Sequence, residues 1–159
     1  MIRTFVINIL SLVLLPTLLS CEMIPDPIVT DLPEEEPVTM PAAIKITVSG
    51  KSLPVKIEDN VATRALVAAL REATITFEAH DYGGFEKVGG LGRTLPSSDS
   101  QMTTQPGDVI LYSGNQIVLF YGSNSWSYTR IGKIQYGTLD ELKTFLQAGK
   151  GNISVSLSL

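Results

Sequence analysis

Residues 106–122 read PGDVILYSGNQIVLFYG. Two apolar runs, Val109 to Tyr112 and Ile117 to Tyr121, flank the turn residues Ser113-Gly114-Asn115, and Pro106-Gly107-Asp108 precedes the first run. Short runs rich in β-branched and aromatic residues, punctuated in this way, predict two strands joined as a hairpin.

The same signature extends on both sides. Ile44 to Val48 alternates apolar and polar residues, as does Leu53 to Ile57, with Ser49-Gly50-Lys51-Ser52 between them. That is a second hairpin, and Pro54 marks an edge position because proline cannot donate to a ladder. Asp59 or Asn60 can cap a helix from Val61 to about Glu72, with Val61, Ala65, Leu66, Ala69 and Leu70 on its apolar face. Further strands are expected at Thr74 to Glu78, near Phe85 to Val88 and around Tyr128 to Ile134. Thr138-Leu139-Asp140-Glu141 reads as a capping box opening a short helix through Leu142, Phe145 and Leu146, stopped by Gly149 and Gly151. Ile153, Val155, Leu157 and Leu159 alternate in a final strand, which gives the last residue a structural role. About eight short strands, two short helices and no βαβ rhythm predict a mainly β domain over residues 44–159, closed as an eight-stranded barrel.

The preceding residues have a different composition. Arg3 is the only charge in residues 1–20, and the apolar stretch from Phe5 to Leu19 is interrupted by Asn8, Ser11, Pro16 and Thr17. This reads as a secretory signal peptide, too short and too interrupted for a spanning helix. Leu18-Leu19-Ser20-Cys21 follows, ending on the only cysteine in the chain. Residues 22–41, EMIPDPIVTDLPEEEPVTMP, hold five prolines, six acids and no base. Fixed φ angles and mutual repulsion of carboxylates predict a disordered, extended tether over 21–43, about 3.1 Å per residue where fully extended.

The whole chain has 159 residues, a formal charge of -4 and 18% charged residues. Six of its 16 acids lie in the tether, so the segment from Ile44 carries 11 Lys/Arg against 10 Asp/Glu and is close to neutral. With no basic run, nucleic acid is not an expected partner. His80 is the only histidine and Cys21 the only cysteine, so no Cys/His metal site and no cysteine nucleophile within the domain is expected. No Walker loop, dinucleotide fingerprint or nucleophile elbow occurs, and no cofactor is expected. His80 next to Asp81 is either an acid/base dyad or a surface histidine in a polar loop. Residues 81–96, DYGGFEKVGGLGRTLP, place five glycines within ten residues around Glu86, Lys87 and Arg93, which suits either sharp barrel corners or a binding rim.

Two resemblances add to this reading. The apolar run ending at Cys21 resembles the lipobox of bacterial lipoproteins, which implies cleavage before Cys21 and acylation of it, as with palmitate. The implied location is the bacterial cell envelope, lipid-anchored to a membrane, with the domain on the extracytoplasmic side. Residues 44–159 resemble a cyclophilin-like barrel. The carriers are the opening hairpin and helix, Glu86-Lys87-Val88 with Arg93-Thr94-Leu95-Pro96, Pro106-Gly107-Asp108-Val109, Gly114 to Gly122, and Tyr128 to Ile134.

Cyclophilins are peptidyl-prolyl isomerases that hold an X-Pro segment in a groove on the barrel wall, with an arginine in an F-H-R-[IV] strand. Phe85-Glu86-Lys87-Val88 is similar to that strand but has lysine at the arginine position. The resemblance therefore implies Lys87 and Arg93 as candidate catalytic residues, and Phe85, Gln116, Phe120 and Trp126 as groove residues for a peptide or small ligand. Isomerase activity is expected to be weak or absent, because a lysine ammonium lacks the planar donor fork of arginine. The alternative is a non-catalytic envelope assembly module presenting Tyr112, Tyr121, Trp126 and Tyr128 to a protein partner.

Overall fold

The computed structural model describes residues 39–159. The expected signal peptide, Cys21 and most of the expected tether lie outside the described residues.

The strands are β1 (Ala43–Val48), β2 (Lys51–Ile57), β3 (Ile75–Tyr82), β4 (Glu86–Gly90), β5 (Ser100–Thr103), β6 (Asp108–Tyr112), β7 (Gln116–Phe120), β8 (Ser125–Ile134) and β9 (Ile153–Ser158). Helix α1 spans Val61–Glu72 and α2 spans Leu139–Phe145. The strand order is β2-β1-β9-β3-β4-β7-β6-β8-β5, and β2 also pairs with β8. That pairing closes eight antiparallel strands into the expected barrel and leaves β5 outside as a ninth. At the closing seam a Cβ on Gly132 would press on the Lys56 carbonyl oxygen and lie 2.9 Å from the Ile57 Cα, so any side chain there would push the closing strands apart.

Hydrophobic alternation sends one set of side chains inward and the other outward. Ile46, Val55, Val109, Leu111, Ile117, Leu119, Ile131, Val155 and Leu157 fill the barrel together with Ala62, Leu66 and Val67 of α1. Asn60 is the N-cap, its Oδ1 accepting from the Thr63 N–H at 3.0 Å, and its Nδ2 donates to the Arg130 carbonyl at 2.7 Å, which ties the helix to β8. Asp59 pairs instead with Arg64 at 2.6 Å. The capping box of α2 forms in both directions, between Thr138 and Glu141.

Three expectations are corrected and one strand is added. Pro54 is not on an edge strand, because β2 is paired on both sides; it lies immediately before Val55, the first residue of the β8 pairing. Val61 is exposed and Thr63 is buried in its stead on the inner face of α1. Leu159 is 48% exposed and lies beyond the end of β9, so it has no core role. The polar stretch after Pro96 holds β5, which pairs with residues 125–128 of β8, the part of that strand that has left the barrel ladder.

Candidate functional site

Outside the barrel, on the face of β3, β4, β7, β6 and β8, a second cluster packs Ile110, Val118, Phe120 and Tyr128 with Phe85, Val88 and Met102. Its aromatic rings are mutually engaged: Phe85 stacks on Phe120 with centroids 6.3 Å apart, Tyr128 meets Phe120 edge-on at 5.8 Å, and Tyr112 meets Tyr128 edge-on at 6.0 Å. Through Val88, Val118 and Tyr128 this cluster floors a groove of about 420 Å³. His80 and Tyr82 of β3 and Glu86 and Val88 of β4 form one side; Gln116 and Val118 lie on β7; Tyr112, Trp126, Tyr128 and Asn124 form the other side. The ribbon of β5 with the start of β8 raises Trp126 as a wall, leaving its indole 57% exposed.

Polar groups are oriented on that wall. Thr104 and Asn124 bond to each other through both backbone and side chain, the Asn124 N–H reaching Thr104 Oγ1 at 2.9 Å. Asn124 Nδ2 then donates to the Tyr128 hydroxyl oxygen at 2.9 Å, which leaves the phenol proton to donate elsewhere. Burial raises the Tyr128 pKa above its ordinary value, the nearby Glu86 charge adding to this and the Asn124 bond opposing it.

Glu86 is the anomaly of the groove. It is 6% exposed, and its Oε2 is fully buried with no hydrogen-bond partner among the described residues. Loss of solvation pushes its pKa up to about 7. Its neighbour Lys87 points the other way, fully buried, with Nζ 2.9 Å from Asp81 Oδ2 and donating to the Gly151 carbonyl. Burial would raise the Asp81 pKa, but donors from Lys87, the Gly149 and Gly151 backbone and the Tyr121 hydroxyl outweigh it and hold it at about 2. Burial, and then the same contact with Asp81, raise Tyr121 to about 12.

The turn explains this phase. Gly83 and Gly84 have φ of 61° and 77°, and the Phe85 N–H closes the turn onto the Tyr82 carbonyl at 3.4 Å. The Phe85 carbonyl then accepts from both Tyr121 and Gly122 N–H groups at 3.0 and 2.8 Å. Phe85 is thus an extra residue before β4, and Phe85 and Lys87 do not share a face as a regular strand would require.

The candidate residues therefore divide. Gln116 and Trp126 line the groove, whereas Phe85 and Phe120 do not line it and pack in the cluster behind Val88, Val118 and Tyr128. Lys87, expected as catalytic, is removed from the groove to the inner face, where it balances Asp81. Arg93 lies beside the groove in a separate shallow depression with Gly92, Thr94 and Asn115, bordered by Gln116, which both share. Arg130 is held by Asp108 at 3.2 Å and Glu58 at 3.6 Å and does not line the groove. His80 and Asp81 are not a dyad, since adjacent strand residues face opposite sides; His80 faces the groove from a strand, not a loop. The four-aromatic partner surface is also corrected: Tyr121 and Tyr128 are each 5% exposed and turned to different clusters. Among the described residues no group of three or more His, Cys, Asp or Glu side chains is placed to hold a metal ion.

Glu86, His80, Tyr82 and Asn124 were not anticipated as site residues. Two-residue alternation across the β4–β7 pairing, with Glu86 opposite Phe120 and Val88 opposite Val118, is the signal that places Glu86 on the groove face once the turn is known.

An eight-stranded barrel with two helices and an aromatic groove on its outer wall has the architecture of a cyclophilin-like domain. The model of the cyclophilin-like family matches residues 46–158, and the chain belongs to that family. No curated protein matches it. The solution structure of the hypothetical protein AF2241 from Archaeoglobus fulgidus is similar in fold, with a TM-score of 0.51 and 19% identity, covering 74% of this chain and 93% of that one.

Proposed function

We propose that this protein is a membrane-anchored cyclophilin-like domain that binds a peptide or small ligand in the groove on its barrel wall, with peptidyl-prolyl isomerase activity weak or absent. One observation carries the binding reading: exposed Tyr82, Tyr112 and Trp126 converge on one groove around a buried carboxyl that has no partner. Exposed aromatic groups gathered over a preformed apolar floor are the usual makings of a ligand site.

The isomerase part follows from what the groove offers. Rotation about X-Pro faces a barrier of about 18–20 kcal/mol, lowered by donors aimed at the twisting amide. Among the described residues no lysine or arginine lines this groove. A prolyl-peptide isomerisation assay is expected to give a rate close to that of the uncatalysed reaction, unchanged in Arg93→Ala. Clear catalysis lost in Arg93→Ala would overturn this and give Arg93 the catalytic role.

The anchor rests on Leu18-Leu19-Ser20-Cys21. Two acyl chains would hold the protein stably at a bilayer. No described helix is long and apolar enough to cross one. Labelling of bacterial cells with radioactive palmitate is expected to mark the wild-type protein and not Cys21→Ser; equal label in both would remove the anchor from the account.

A further inference from the structure

Glu86 is an acceptor without a donor, in a groove open to ligands. Its Oε2 is buried and unpartnered among the described residues, Tyr82, Tyr112, Trp126 and Tyr128 line the space around it, and no described lysine or arginine does so. The cation next to it in sequence, Lys87, is on the far side of the sheet and already engaged by Asp81. A buried acceptor gains from a ligand donor that restores the hydrogen bond it lost on leaving water, and a carboxylate gains more from a charged one. Tyrosine and tryptophan faces favour the same charge.

From this we propose that the groove recognises a nitrogen cation bearing N–H donors, a lysine or arginine side chain of a peptide, which donates to Glu86 and lays its stem along the aromatic rim. The inference rests on the reading of the groove as a ligand site and adds the chemistry of its ligand. A quaternary ammonium would satisfy the rings but leave Oε2 without a hydrogen bond, so it is the weaker ligand. Trp126 and Tyr112 can sandwich the methylene stem, as amphipathic side chains place their carbons on apolar surface and their charge at a polar group.

The recognition is proton-linked. Glu86 titrates near 7 because of its burial, and a bound cation requires its ionised form, so affinity rises with pH between about 6 and 8 and levels off above. The titratable groups facing it are His80 and Tyr82 from β3, Tyr112 from β6 and Tyr128 from β8, with Tyr121 beyond the end of β7. Tyr128 and Tyr121 are shifted upward, out of that range, and a His80→Asn variant isolates the imidazole.

Calorimetric titration of the full-length protein with Nα-acetyl-lysine methylamide, its arginine and norleucine counterparts, and tetramethylammonium tests this at pH 6 and 8. The expected result at pH 8 is a lysine or arginine affinity at least tenfold above norleucine and tetramethylammonium. That preference should shrink at pH 6 in the wild type and in His80→Asn alike, and vanish in Glu86→Gln, with circular dichroism confirming that both variants fold. Equal binding of lysine and norleucine probes, sensitive to Trp126→Ala, would overturn the cation inference and leave the groove as a ligand site. A lysine preference that persists in Glu86→Gln places the cation elsewhere and overturns it. Tetramethylammonium binding as tightly as lysine overturns the hydrogen-bonding part. No binding by any probe, with proline peptides also failing, overturns both readings.

Discussion

Asp81→Ala is expected to lower the stability of the domain by about 3–5 kcal/mol, a fall in Tm of roughly 10–20 °C for a domain of this size. Asp81 collects the Lys87 ammonium, the Tyr121 hydroxyl at 3.0 Å and the Gly149 and Gly151 N–H groups at 3.0 and 2.9 Å. It thereby fastens the loop between α2 and β9 to the β3–β4 hairpin. Its removal strands a fully buried ammonium with a single carbonyl acceptor. Adding Lys87→Met should restore part of the loss, because the double variant buries no unpaired charge. Thermal unfolding of the two variants checks the account, and a double variant no better than Asp81→Ala would show that the charge is not the cause.

The pH dependence of the same site has a definite sign. Asp81 is held at about 2 against an ordinary 3.8, so its contribution is full above about 4 and is lost as pH falls through 2. The shift corresponds to about 2 kcal/mol. The stability gap between wild type and Asp81→Ala should therefore narrow on acidification from pH 5 to pH 2.

Glu86→Gln is expected to act in the opposite direction, stabilising the protein at pH 8 by about 2–3 kcal/mol. The folded state holds the Glu86 proton up to about 7, whereas the unfolded chain releases it near 4.5. Its stabilising effect is full below 4.5 and is lost as pH rises through 7, where an ionised and unpartnered carboxylate is buried. The Tm difference between variant and wild type should be small at pH 4.5, grow up to pH 7 and stay level above it. A difference independent of pH, or a variant less stable at pH 8, would contradict the desolvation argument. A group kept at such a cost to stability in a groove is what a binding role predicts.

Much of the barrel was legible because its signals are local. Both helix caps, the hairpin around Ser113-Gly114-Asn115 and the alternation of Ile153 to Leu157 each follow from residues a few positions apart. Strand β5 was not, because Ser100, Gln101 and Thr103 are exposed and carry no apolar period; only its pairing with β8 makes it a strand. The groove was half legible. Gln116 and Trp126 came from the resemblance, while Lys87 was expected in the groove where Glu86 stands and Glu86 was given no role. The reason is one extra residue: Phe85 sits in the turn, and the phase of β4 begins at Glu86. A strand read as starting at Phe85 sends Lys87 to the wrong side of the sheet.

Trp126 is the only tryptophan in the chain and stands on the groove wall, so its emission reports on the groove alone. Titrating the protein with capped X-Pro peptides and with Nα-acetyl-lysine methylamide while recording that emission tests the central claim that the groove binds ligands. The account predicts a saturable change in wild type at pH 8, with the lysine response lost in Glu86→Gln. Emission that stays constant through millimolar concentrations of every peptide would contradict it.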